Sequence, residues 1–263
     1  MVRRLAPLAL LAAALVLPGA APTRYRAGIN PTVAEHLEYA GQAQREGRMG
    51  EATGYAKALL IGQEITYAVM FEPESEPQRA DAMRALQAAA QTWRDSLDDE
   101  VTIRPAKEGE TPNLVIHFQP DVRVDDRAIS GYIQWRREIR RTGKGWEGVF
   151  EGQVFARTQF KGRPMRFEAM HCCLGHEMGH MFGLPDAASR NSGDAIMGML
   201  NLGRPVESPN EAEIETVRNI RTDAGDIERA ALGTGEQHQE IMELDGTHSE
   251  GRSHHAGHRH SHR

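Results

Sequence analysis

The stretch HEMGHMFGLPD, His176 to Asp186, decides how this 263-residue chain is read. Residues four apart on an α-helix lie about 40° apart around its axis, so His176 and His180 project from one face, one turn apart. That spacing lets two imidazole nitrogens reach a single zinc ion at about 2.0–2.1 Å. Glu177 is rotated by about 100° from His176 and stands beside the metal, placed to take a proton from bound water. Gly183 can end the helix in the left-handed conformation, and Pro185 stiffens a return that carries Asp186 up as a third ligand. An HExxH string arises by accident in about 3% of chains this long, and adding Gly183 and Asp186 at fixed offsets lowers that to about one in ten thousand.

Outward from this helix, expected over residues 167–182, the patterning alternates strands and helices. Residues 33–46 and 50–60 read as two helices joined at Gly47, Arg48 and Met49. The string GQAQREGRMGEATGYAKALL resembles one tetratricopeptide-like hairpin; no second copy follows, so a repeat array is excluded, and residues 22–62 either pack on the main domain or form a pro-segment. A strand is expected at 65–71 and a long amphipathic helix at 77–97, with Ala82, Leu86, Ala89, Ala90 and Trp93 at helical spacing. Residues 101–104 and 114–118 read as strands, and 132–136 with 149–157 as a hairpin across Gly143 to Gly145. Ser208, Pro209 and Glu211 carry a capping-box pattern ahead of Ile214, Val217 and Ile220. The order predicts an α/β domain over residues 63–225.

The zinc segment resembles the extended signature of the metzincin metallopeptidases, H-E-x-x-H-x-x-G-x-x-H/D, and in its final Asp is similar to the snapalysin type. The preceding element order is similar to that of matrixins. The resemblance spans roughly residues 63–222, its specific part being the helix, the loop and the last capped helix. It implies a mixed sheet with a long backing helix, a zinc-binding active-site helix and a C-terminal helix. It implies zinc held by His176, His180 and Asp186, with Glu177 as the catalytic base for a zinc-bound water. It also implies a methionine beneath the metal, for which Met197 is the candidate and Met199 the alternative. No tyrosine follows that methionine closely and no cysteine precedes the zinc helix, so a tyrosine near the metal and thiolate latency both lack a residue.

Other chemically capable residues read as structural. His171 is about 140° around the helix from His176, a packing or surface residue. His117 in an alternating strand reads the same way. Cys172 and Cys173 are adjacent, which excludes a CxxC site, and are expected as small buried hydrophobes. Asp121, Asp125 and Asp126 lack a calcium-loop signature and are expected in a solvated turn.

The chain ends are distinct in kind. Arg3 and Arg4, the apolar run from Leu5 to Leu17 and the small residues Gly19 to Ala21 read as an export signal over residues 1–21, predicting a secreted or periplasmic protein. No stretch has the roughly 20 apolar residues of a membrane span. From about Asp226 the apolar periodicity lapses, and His248, His254, His255, His258, His260 and His262 follow; residues 226–263 read as a disordered tail able to gather extra metal ions. Composition is that of an ordinary globular protein, with 40% hydrophobic and 26% charged residues, and a net charge of -6 argues against a nucleic-acid partner. Two functional classes remain: a secreted zinc metalloendopeptidase acting on a protein or peptide substrate along a sheet edge near Tyr132 to Arg136, or a non-catalytic protein that stores or relays metal. Only the first requires Glu177.

Overall fold

Period-two alternation in Leu114–Gln119 buries Leu114, Ile116 and Phe118 and half-covers Val115, His117 and Gln119 on the opposite face, as a central strand with one helix-packed side requires. The computed structural model describes residues 28–187 and 193–232, and the backbone of 242–248. The export segment 1–21 and the histidines from His254 to His262 lie outside the described residues. The chain begins with α1 (Pro31–Arg45), α2 (Met49–Leu60), β1 (Glu64–Phe71), a 3-10 turn (Pro73–Gln78) and α3 (Arg79–Ser96). Next come β2 (Thr102–Pro105), β3 (Leu114–Gln119), a small β4–β5 hairpin (Val122–Val124, Arg127–Ile129), β6 (Gly131–Thr142) and β7 (Gly145–Arg157). A short β8–β9 pair (Gln159–Phe160, Arg163–Pro164), α4 (Phe167–Met181), α5 (Glu211–Leu232) and β10 (Met242–His248) complete it.

The main sheet has the order β10-β6-β7-β3-β1-β2. Strands β2, β1, β3 and β7 run parallel, whereas β6 and β10 are antiparallel to their neighbours, so the expected mixed α/β class holds. Helices α3 and α4 pack on its apolar face around Trp93, Leu86, Ile116, Phe118, Ile133 and Met170. Odd-numbered residues of β6 form one inward face: Gly131 meets Cys173 and Glu177 on α4, Arg137 reaches the end of α4, and Ile139 meets Gly54 on α2. No described helix is long and apolar enough to cross a membrane.

The two N-terminal helices are built into this domain rather than laid upon it. Gly148 of β7 lies so close to α2 that a Cβ there would sit 2.0 Å from the Ala58 nitrogen, and Gly50 and Gly54 leave room for the Trp146 ring. Arg137 is fully buried between Trp135 and Phe150, donating to the carbonyls of Ala58 and Met181. Those carbonyls belong to the last turns of α2 and α4, where helix dipoles favour a cation. Burial depresses this guanidinium to about 9, which leaves it charged at neutral pH.

Three expectations differ at the C-terminal side. Helix α5 runs past residue 226 to Leu232, because Ala224, Ile227 and Ala231 continue at helical spacing the inward stripe begun by Val217 and Ile220. Residues 242–248, expected as disordered, pair antiparallel with β6 from Ile133 to Ile139. This satisfies most of the β6 edge that was expected to receive substrate; among the described residues of β10 none pairs with Gly131 or Tyr132. The capping box sits two residues later than expected: the Asn210 side chain accepts from the Glu213 N–H at 3.0 Å and the Glu213 carboxylate from the Asn210 N–H at 2.8 Å, while Glu211 is exposed.

Candidate metal centre

Helix α4 carries His176, Glu177 and His180 in its last turns, all buried. Its end is a Schellman turn: the Leu184 N–H bonds to Gly179 O at 3.0 Å and the Gly183 N–H to His180 O at 3.0 Å, with Gly183 at φ 96°. A side chain at Gly183 would be strained by that φ and would meet Ile220 at 3.0 Å and Val33 at 3.1 Å. The Asn30 N–H, just before α1, bonds to Gly183 O at 2.8 Å, so the first helix braces the turn from outside.

The turn returns Asp186 to the two histidines. Its Oδ1 lies 3.1 Å from His176 Nε2 and 3.3 Å from His180 Nε2, and the three donor atoms all fall within 4.8 Å of one another. A tetrahedral zinc with bonds of about 2.0–2.1 Å has ligand-to-ligand edges of about 3.3–3.4 Å, so these spacings fit one small ion. The tautomers agree with this. His176 Nδ1 donates to Ile196 O and His180 Nδ1 to Leu184 O, each at 2.9 Å, which turns both Nε2 atoms toward Asp186. The Asp186 side chain is 36% exposed, so the group opens to solvent on that side.

Burial opposes a charge on His176, but Asp186, Glu177 and the Ile196 carbonyl outweigh it and hold the metal-free imidazole up at about 9. A metal ion taking Nε2 must therefore displace a proton over the whole neutral range. Apparent zinc affinity is expected to fall about tenfold per pH unit as the pH drops from 8 to 6. A zinc titration against a chromophoric chelator at several pH values reads the slope; a flat profile would contradict it.

Packing beneath the helix explains residues the sequence reading passed over. Gly175 and Gly179 each precede a histidine, and a Cβ on them would lie 2.6 Å from Ile196 Cδ1 and 2.3 Å from Met197 Sδ. Met197 is buried under the helix whereas Met199 is 65% exposed, which separates the two methionine candidates. Trp93 Nε1 donates to Gly175 O at 2.8 Å and its ring centroid lies 5.0 Å from that of Phe182. Small residues at i and i+4 immediately before each histidine were the available signal. Glu177 is 2% exposed and faces β6, where a Cβ on Gly131 would lie 3.2 Å from Oε1.

The remaining candidates do not join this group. His171 bridges Thr92 and Glu207 at 3.1 and 3.0 Å, and His117 stacks on Phe155 with ring centroids 4.6 Å apart. Cys172 and Cys173 are buried, as small hydrophobes would be. Asp125 and Asp126, at φ 48° and 63°, form the two-residue turn of the β4–β5 hairpin, and Asp121 pairs with Arg123 and Arg157. A surface cleft lined by Lys57, Arg221 and Arg229 shares no residue with the His–His–Asp group.

No protein-family model matches the sequence, and no curated protein matches it significantly. Among solved structures the chain is similar to the crystal structure of archaemetzincin from Methanopyrus kandleri, with 13% identity and a TM-score of 0.40 over 61% of this chain and 97% of that one.

Proposed function

We propose that this chain is a zinc-dependent metallopeptidase that hydrolyses peptide bonds, with His176, His180 and Asp186 holding the metal and Glu177 as the base. The observation that carries the reading is the donor triangle: two imidazole nitrogens at 3.1 and 3.3 Å from one carboxylate oxygen, each oriented by a backbone carbonyl. A zinc ion bound there supplies Lewis acidity toward a water and the scissile carbonyl. Glu177 takes a proton from the attacking water and passes it to the leaving amine. Its burial against β6 keeps the carboxylate desolvated and fixed relative to both histidines.

Gly131 and Tyr132, which adjoin Glu177 and have no partner among the described residues of β10, are where an extended peptide would pair with β6. Export through residues 1–21 belongs to the same proposal, since it sets extracellular or periplasmic proteins as substrates.

The test is cleavage of a diverse peptide mixture by the full chain, read by mass spectrometry with and without zinc removal. New peptide termini that vanish on chelation and return with zinc support the reading. A folded, zinc-loaded chain that cuts nothing, also after residues 234–263 are removed to bare the β6 edge, leaves the metal-storage alternative as the better one.

A further inference from the structure

The turn that orients the metal ligands is itself held by a single carboxylate from another element. Glu213, in the first turn of α5, accepts the N–H of Met197 on Oε1 at 2.9 Å and the N–H of Ile196 on Oε2 at 3.2 Å. The carbonyls of the same two residues then face the metal group. Ile196 O accepts from His176 Nδ1 at 2.9 Å, and Met197 O accepts from the N–H of Ala187, the neighbour of Asp186, at 2.8 Å. Two N–H groups of one turn are thus clamped by Glu213, and its two carbonyls hold His176 and the backbone neighbour of Asp186.

We infer that Glu213 is a positioning residue of the metal centre, setting the separation of His176 from Asp186 through the Ile196–Met197 turn. This rests on the zinc reading above. Its action follows from rigidity: a carboxylate accepting backbone N–H groups forms strong, charge-assisted bonds, and donors held in place lose less freedom when they close on an ion. The third bond of Glu213, from the Asn210 N–H at 2.8 Å, ties the clamp to the start of α5, so helix capping and ligand orientation share one side chain. Asn210 takes part only in the capping half, which makes it the natural control.

The experiment measures zinc affinity by chelator competition, with Tm of the metal-free protein alongside, for Glu213→Gln, Glu213→Ala and Asn210→Ala. Removing an outer partner of a metal ligand typically weakens binding by about 10–100-fold, and that loss is expected for Glu213→Ala. Glu213→Gln, which keeps the shape and one acceptor oxygen, is expected to recover part of it. Asn210→Ala is expected to lower the metal-free Tm while changing zinc affinity less than about threefold, since it touches the cap alone. Equal losses of affinity in Asn210→Ala and Glu213→Ala would reduce Glu213 to a helix cap and overturn the inference, as would unchanged affinity in Glu213→Ala. Should Glu213→Ala fail to fold, Glu213→Gln decides by the same comparison. A wild-type chain that takes up no zinc sinks the metal reading and this inference together; wild-type uptake with an indifferent Glu213 sinks this one alone.

Discussion

Glu177→Gln is expected to lower kcat/KM for peptide hydrolysis by about 10²–10⁴-fold, the usual contribution of a positioned general base, while zinc content stays at the wild-type level. The substitution keeps side-chain volume, which matters because Glu177 is buried and packs against Gly131, where a single added carbon would already stand 3.2 Å from its carboxylate. It removes the ability to accept a proton and leaves His176, His180 and Asp186 in place. Loss of rate with retained metal is therefore the expected pair of readings. A Glu177→Gln protein that hydrolyses peptides at the wild-type rate would remove Glu177 as the base, whatever the metal content.

Trp93→Ala is expected to cost about 3–5 kcal/mol of stability, the range for truncating a buried aromatic side chain. Trp93 is fully buried, packs on Phe182 and approaches Gly179, and donates its indole N–H to Gly175 O. It is thus a support on which α4 rests. For a domain of this size the Tm is expected to fall by about 6–20 °C, measured on the metal-free protein. Added zinc should recover part of that fall by mass action, since the assembled His–His–Asp group exists only in the folded state. A loss under about 1 kcal/mol would show that Trp93 does not hold α4 in place.

Local patterning carried the regular elements closely. The helices expected at 33–46, 50–60 and 167–182 form as Pro31–Arg45, Met49–Leu60 and Phe167–Met181, and the strand expected at 65–71 as Glu64–Phe71. Each has its own apolar period and its own punctuation. The long helix starts at Arg79 rather than Pro77, because Pro77 sits inside the preceding 3-10 turn. Strand β6 runs to Thr142, well beyond the expected Arg136. Its second half, RREIRRT, is mostly charged. In the folded chain Arg137 is turned inward to two helix ends, and Glu138 is buried between Arg136 and Arg140. Such a strand shows no alternation, since its inward position is satisfied by carbonyls on distant helices.

By itself the sequence determined the part of the centre that one helix can build. His176, Glu177 and His180 hold their relative directions through α-helical geometry, and the turn at Gly183 follows from a residue free to adopt positive φ. The sequence also named Asp186 and Met197, and tertiary structure decided what holds them against that helix. Asp186 reaches the histidines because Asn30 braces Gly183 and because Met197 holds Ala187. Met197 lies beneath the helix because Gly175 and Gly179 leave it room, and Glu213 supplants Glu211 in the cap because the Ile196–Met197 turn needs two acceptors. The N-terminal hairpin joins the domain, and β10 covers most of the β6 edge, through contacts between segments far apart in the chain. Such contacts are set by shape and hydrogen-bond demand across space, and neither has a local period to read.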